Sequence, residues 1–65
     1  MTEQEAFQEA RQRWGDEAAI RFLQSADPGW KAYLVGRELD EEFELLGEGV
    51  SWERAFLDAD RKTRT

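Results

Sequence analysis

The stretch from Gly47 to Ala59 constrains what this chain can fold into more than any other part of its sequence. It predicts the end of a strand, a turn that depends on Gly47 and Gly49, and then a helix. Ser51 stands where a helix N-cap is expected, because its hydroxyl can accept a hydrogen bond from a backbone N–H of the first turn. The apolar residues that follow have the spacing of an amphipathic helix, and they are Trp52, Ala55, Phe56 and Ala59. The chain therefore ends in a strand and a helix that packs by one face.

A helix from Thr2 to Trp14 is predicted at the other end of the chain. Thr2 and Glu5 have the spacing of a capping box. Gly15 is a natural C-terminal stop, because glycine readily adopts the left-handed conformation. The apolar stripe of this helix consists of Phe7, Ala10 and Trp14, with Ala6 beside it.

Three strands are predicted between the helices, over residues 17–24, 30–37 and 42–46, with an acidic connector at 38–41. A helix is the rival interpretation of 17–24. The turn that follows favours a strand, because Pro28 and Gly29 stand where a tight turn needs a fixed φ and then a positive φ. Alternation along the strands predicts which residues face the core, and these are Ala18, Ile20, Phe22, Trp30, Ala32, Leu34, Phe43 and Leu45.

The element order α-β-β-β-α predicts a single small α+β domain over residues 1–65, with both helices on one face of a three-stranded antiparallel sheet. Residues 60–65 are polar and are expected to fray. The other face of the sheet is expected to be open to water, as a surface for a protein partner or for a second copy that forms a homodimer. Its predicted members are Arg21, Leu23, Lys31, Tyr33, Val35 and Leu46. The alternative is that these are scattered surface residues without a partner.

Composition argues against an enzyme. The 65 residues include no histidine and no cysteine, so the usual neutral-pH base, the thiolate nucleophile and the soft metal ligands are missing. Ser51 is better explained as a helix cap than as a nucleophile. We therefore expect no catalytic residue, no cofactor and no metal. The N-terminal residues lack a signal-peptide pattern and no run approaches a membrane span, so we expect a cytoplasmic protein without membrane contact.

The net charge of −6 argues against nonspecific binding of nucleic acid and is compatible with a basic partner. The densest run of charge consists of Glu38, Asp40, Glu41, Glu42 and Glu44. It predicts a solvated hairpin tip whose charge keeps a sheet edge from mispairing. The alternative is an acidic patch that docks a basic protein surface or mimics nucleic acid.

The C-terminal segment resembles the end of a double-stranded RNA-binding domain, a family with the same α-β-β-β-α order. The matching positions are Gly47, Gly49, Ser51, Ala55 and Ala59. The resemblance implies this fold and, as an alternative function, duplex-RNA binding with Arg54, Arg61 and Lys62 as candidate contacts. The family places phosphate-gripping lysines where this chain has Trp52, Glu53 and Phe56, so the resemblance supports the fold more than the activity.

A weaker likeness is to HicB-type antitoxins, which also end a strand with a glycine turn and a serine- or threonine-capped helix. That likeness implies an acidic binder that inhibits a partner. Of these functions, the sequence favours a small acidic, non-enzymatic interaction module that binds a protein or a second copy of itself.

Overall fold

A computed structural model of the chain describes residues 1–25 and 29–63. Its elements are α1 (Glu3–Trp14), a 3-10 turn (Gly15–Glu17), β1 (Ala18–Gln24), β2 (Lys31–Leu39), β3 (Glu42–Gly49) and α2 (Trp52–Thr63). The strands form one antiparallel sheet in the order β1-β2-β3. The predicted α+β class and α-β-β-β-α order are confirmed.

Both helices begin at the predicted caps. The backbone N–H of Thr2 donates to Glu5 Oε1 at 2.8 Å, and that of Glu5 donates to Thr2 Oγ1 at 3.1 Å. Gly15 ends α1 with a φ of 78°. At the start of α2, Ser51 Oγ accepts a hydrogen bond of 3.1 Å from the backbone N–H of Arg54. α2 continues to Thr63, so residues 60–63, which were expected to fray, form its last turn; residues 64 and 65 lie outside the described part.

The core lies between the sheet and the two helices, which cover the same sheet face. Its buried members are Ala6, Ala10, Ala18, Val35, Trp52, Ala55, Phe56 and Ala59. Aromatic contacts join the elements: the rings of Trp14 and Phe56 stack with centroids 6.0 Å apart. Tyr33 of β2 meets Trp52 edge-on at 4.8 Å. These large side chains supply much of the apolar area that so small a core can bury.

The two glycines of the C-terminal segment are strand residues, and the predicted glycine-dependent turn is wrong. β3 continues to Gly49, and neither glycine is among the described residues with a positive φ. A Cβ on Gly47 would lie 2.3 Å from the carbonyl oxygen of Ala55, and one on Gly49 would lie 2.6 Å from Arg54 Cβ. Glycine is needed here because α2 passes directly over the backbone of β3.

The β2–β3 hairpin closes through Asp40 and Glu41, with φ values of 51° and 68°. Two successive positive φ values are typical of the type I′ turn that suits a two-residue hairpin, so the expected connector at 38–41 is shorter than predicted. Gly29 has the predicted positive φ, of 86°, while Pro28 lies outside the described residues. A bulge interrupts the β2–β3 ladder between Val35 and Gly36.

Candidate interaction surfaces

The strand register identifies the face of the sheet that the helices leave uncovered. Cross-strand partners project to the same face. Arg21 pairs with Leu34, Leu23 pairs with Ala32, and Gly36 of β2 pairs with both Ala19 and Leu45. Fully buried Val35 lies on the opposite, helix-covered face. The side chains of the uncovered face, which we call the open face, are those of Ala19, Arg21, Leu23, Ala32, Leu34, Glu38, Phe43, Leu45 and Glu48.

The six-residue surface predicted from sequence does not form. Arg21 and Leu23 lie on the open face as predicted. Val35 is 0% exposed, and the ring of Tyr33 packs 4.8 Å from those of Phe22 and Trp52 on the covered face. Lys31 shares the covered side by alternation. Leu46 is half-buried at the bulge.

The prediction of which strand residues face the core was also wrong at several positions. Ala32, Leu34, Phe43 and Leu45 were expected in the core and lie on the open face, and Trp30, before β2, is exposed. β2 carries apolar side chains on both faces, so alternation alone does not select the buried one. β3 meets α2 through Gly47 and Gly49, which have no side chain to mark the inner face. The available signal was Gly36, since a glycine inside a strand often marks a bulge.

The open face is mostly apolar, and its charged side chains are those of Arg21, Glu38 and Glu48. Leu23 and Leu45 are 48% and 43% exposed. Arg21 Nη2 lies 2.5 Å from Glu38 Oε2, and its guanidinium carbon lies 5.0 Å from the centroid of the Phe43 ring. The ion pair and the cation–π contact hold Arg21 flat on the sheet. Leucine and phenylalanine thus occupy outward positions where an idle antiparallel sheet carries polar residues.

The charge beside the open face is negative. At the hairpin tip, Glu44 is paired with Arg37 at 2.7 Å, and this ion pair raises the pKa of the Arg37 guanidinium. Within residues 1–25 and 29–63, four carboxylates of the β2–β3 hairpin form no ion pair. They are those of Asp40, Glu41, Glu42 and Glu48. Glu48 lies on the open face opposite Leu34, and Asp40 and Glu41 form the hairpin turn at its end. Glu42, the partner of Leu39, projects to the other side of the sheet. A partner that covers the open face therefore meets the uncompensated carboxylate of Glu48 and those of the turn.

The basic residues considered as nucleic-acid contacts lie along α2. Lys62 Nζ bonds Asp58 Oδ2 at 2.9 Å, and Arg54 and Arg61 line a shallow groove of about 380 Å³ with Leu57 and Asp58. Two hydrogen bonds lower the pKa of Asp58: the larger effect comes from Lys62 and the smaller from the backbone N–H of Glu48.

The start of α2 differs from the lysine-rich helix of the resembled family. Trp52 and Phe56 are buried, and Glu53 Oε2 accepts a hydrogen bond of 2.9 Å from the amino group of Met1. The three positions where the family carries lysine are thus two core residues and a carboxylate engaged by an amine.

No group of three or more acidic side chains in the described ranges is arranged to hold a metal ion. Across the same ranges, neither helix has the length and apolar character needed to cross a membrane.

The chain was compared with known proteins in three ways. No protein-family model matches it, and no curated protein or solved structure gave a match. The surfaces above are therefore interpreted from their own geometry.

Proposed function

We propose that this chain is a small acidic, non-enzymatic protein-binding module whose open face docks a partner protein. The observation that supports it is the set of apolar side chains on a sheet face without a covering helix: Leu23 and Leu45 are exposed and Phe43 is half-buried. Leu34 lies between the two leucines, as the diagonal cross-strand neighbour of both. Exposed contiguous apolar surface on a small domain is characteristic of an interaction site.

The charges suggest what the partner looks like. Arg21 is already neutralised by Glu38, whereas Asp40, Glu41 and Glu48 are uncompensated within the described residues. Complementary charge around an apolar centre speeds encounter and selects partners. We therefore propose a partner with an apolar patch bordered by lysine and arginine.

Duplex-RNA binding receives less support. Phosphate contacts dominate such binding, and Trp52 and Phe56 are committed to the core. Arg54 and Arg61 remain available on α2, but Glu48 and Asp58 line the same groove.

Affinity capture with matched variants tests the proposal. Immobilised wild type, Leu45→Lys and Leu57→Lys are each exposed to an extract of the source cells, and retained proteins are quantified by mass spectrometry. Leu45 and Leu57 are both exposed leucines, at 43% and 57%, but Leu57 lies on α2, away from the open face.

We expect a protein that wild type and Leu57→Lys retain and that Leu45→Lys loses, with retention falling as salt rises because the partner is basic. Circular dichroism verifies that each variant is folded. If every retained protein binds Leu45→Lys as well as wild type, the open face is not the docking surface.

A further inference from the structure

The two edges of the sheet differ in how they are protected. At the β3 edge, the backbone N–H of Glu48 donates to Asp58 Oδ2 at 3.0 Å, so a side chain of α2 occupies a group that another strand would need. β1 pairs only with β2. Within the described ranges, its second edge has no strand beside it. An unprotected edge is a template for a further strand.

The register shows which backbone groups of β1 point out of the sheet. In an antiparallel edge strand, alternate residues direct both N–H and C=O away from the neighbouring strand. Ala18 N–H donates back to Gly15 O, and Ile20 O accepts from Arg21 Nη1 at 3.0 Å. These bonds assign the even-numbered residues to the outside, so the free edge presents the N–H groups of Ile20, Phe22 and Gln24.

Apart from the bond of Arg21 to the Ile20 carbonyl, the side chains along this edge lack the features that normally keep strands apart. Arg21 is the one charged residue of β1, and Glu38 neutralises it. No proline or bulge interrupts the β1–β2 ladder, and such interruptions are common edge protection. Phe22 and Leu23 are 43% and 48% exposed. A groove of about 620 Å³ beside the strand is lined by Phe7 and Ile20 together with the polar residues Thr2, Glu3 and Gln4 at the start of α1.

We propose that β1 pairs antiparallel with β1 of a second copy, with Phe22 on the two-fold axis. The outward groups of Phe22 then bond those of the second Phe22, and Ile20 bonds Gln24 at each end, where the Gln24 N–H shares the Ile20 carbonyl with Arg21 or displaces it. This register sets Arg21 opposite Leu23, so no like charges face each other across the new ladder. A two-fold pairing of identical patches is the commonest form of protein dimer.

A second copy fits this edge better than the basic partner proposed for the open face. β1 offers no uncompensated carboxylate to a basic segment, whereas its apolar side chains and its outward N–H and C=O groups are complementary to themselves. The pairing extends the sheet to six strands and places two open faces side by side. The doubling of the docking surface matters only if the proposed function is right. The dimer itself does not depend on the proposed function.

Sedimentation equilibrium of the full chain tests the pairing. We expect a mass that rises with concentration toward twice the 7.6 kDa of one chain. Each copy carries a net charge of −6, so association should strengthen between about 0.01 M and about 1 M salt, as the Debye length falls from about 30 Å to about 3 Å. A monomer at every concentration and salt level overturns the proposal.

Two variants locate the interface. Phe22→Lys sets two ammonium groups against each other on the axis. Gln24→Pro deletes an outward N–H and leaves the bonds to β2 in place. It provides a second test in case Phe22→Lys, which loses the contact between Phe22 and Tyr33, does not fold. Each should raise the dimer dissociation constant about tenfold or more, since each removes or opposes symmetric pairs of contacts.

Leu45→Lys is the matched control, because Leu45 and Phe22 are both 43% exposed. It should leave the dimer mass unchanged. A dimer that survives both Phe22→Lys and Gln24→Pro, or one that Leu45→Lys dissociates, refutes pairing through β1. The proposed function fails separately, through partner capture that is insensitive to Leu45→Lys.

Discussion

Replacing Gly47 with alanine should destabilise the fold through a collision between β3 and α2. The added Cβ would lie 2.3 Å from the carbonyl oxygen of Ala55 and 2.7 Å from the backbone nitrogen of Ala59. Both are backbone atoms of a helix, so no side-chain rotation relieves the overlap. α2 must move outward by about 1 Å to restore ordinary contact, which loosens the packing of Trp52 and Phe56 against the sheet.

The size of the effect follows from two opposing terms. Overpacking a close contact costs about 1–3 kcal/mol, and the rigid backbone neighbours of Gly47 place it at the upper end. Alanine regains about 0.4–1 kcal/mol by restricting the unfolded chain. We expect a net loss of about 2 kcal/mol from a total stability of about 3–10 kcal/mol for a chain of this length, and a melting temperature lower by about 15 °C.

Urea and thermal unfolding, followed by circular dichroism and tryptophan fluorescence, measure this loss. Gly15→Ala is the comparison variant for strain without collision: its Cβ meets nothing within 4 Å, but its φ is 78°. Its ψ of −155° places it in a region of backbone conformation that is essentially restricted to glycine, so alanine there should cost about 1–3 kcal/mol of backbone strain without any collision. Adding Ala59→Gly should not rescue Gly47→Ala, because the Ala55 carbonyl remains in place. If Gly47→Ala is as stable as the wild type, the close approach of α2 does not explain the glycine.

Three further predictions concern caps and charges. Ser51→Ala should cost about 1 kcal/mol in urea unfolding, because the Arg54 N–H loses its cap, and a change below the error would refute the cap. Glu38→Gln should cost less than about 1 kcal/mol, since its ion pair with Arg21 is exposed; a larger loss would show that Arg21 is a structural residue. The hydrogen bond from Lys62, and to a smaller extent that from a backbone N–H, lowers the pKa of Asp58. Ionised Asp58 therefore stabilises the fold fully above the unfolded pKa near 4, and this contribution is lost as pH falls through the folded pKa. Asp58→Asn should flatten the acid side of the stability profile, and an unchanged profile would contradict this assignment.

The helix ends were predictable because their signals are local. A threonine or serine three residues before the N–H that it caps is a short-range pattern, and both Thr2 and Ser51 make the expected bonds. The element order followed from periodicity and from turn residues such as Gly29, whose φ is positive. These features depend on a few adjacent residues and need no knowledge of packing.

The assignment of sheet faces failed because it depends on contacts between distant residues. Tyr33 and Val35 alternate with Ala32 and Leu34, and either pair suits a core. The choice is made by α2, which approaches β3 closely enough to require Gly47. The predicted interaction surface was wrong for Tyr33 and Val35 for that reason, and the exposed leucine of β3, Leu45, went unrecognised.

Hydroxyl-radical footprinting of the captured complex is the most direct test of the open face as a docking surface. Oxidation of Phe43, Leu45, Val50 and Leu57 is compared between the free chain and the complex. We predict that Phe43 and Leu45 react in the free chain and are protected in the complex, while Val50 and Leu57, exposed at 74% and 57%, react equally in both. Unprotected Phe43 and Leu45 in the complex would contradict the proposal.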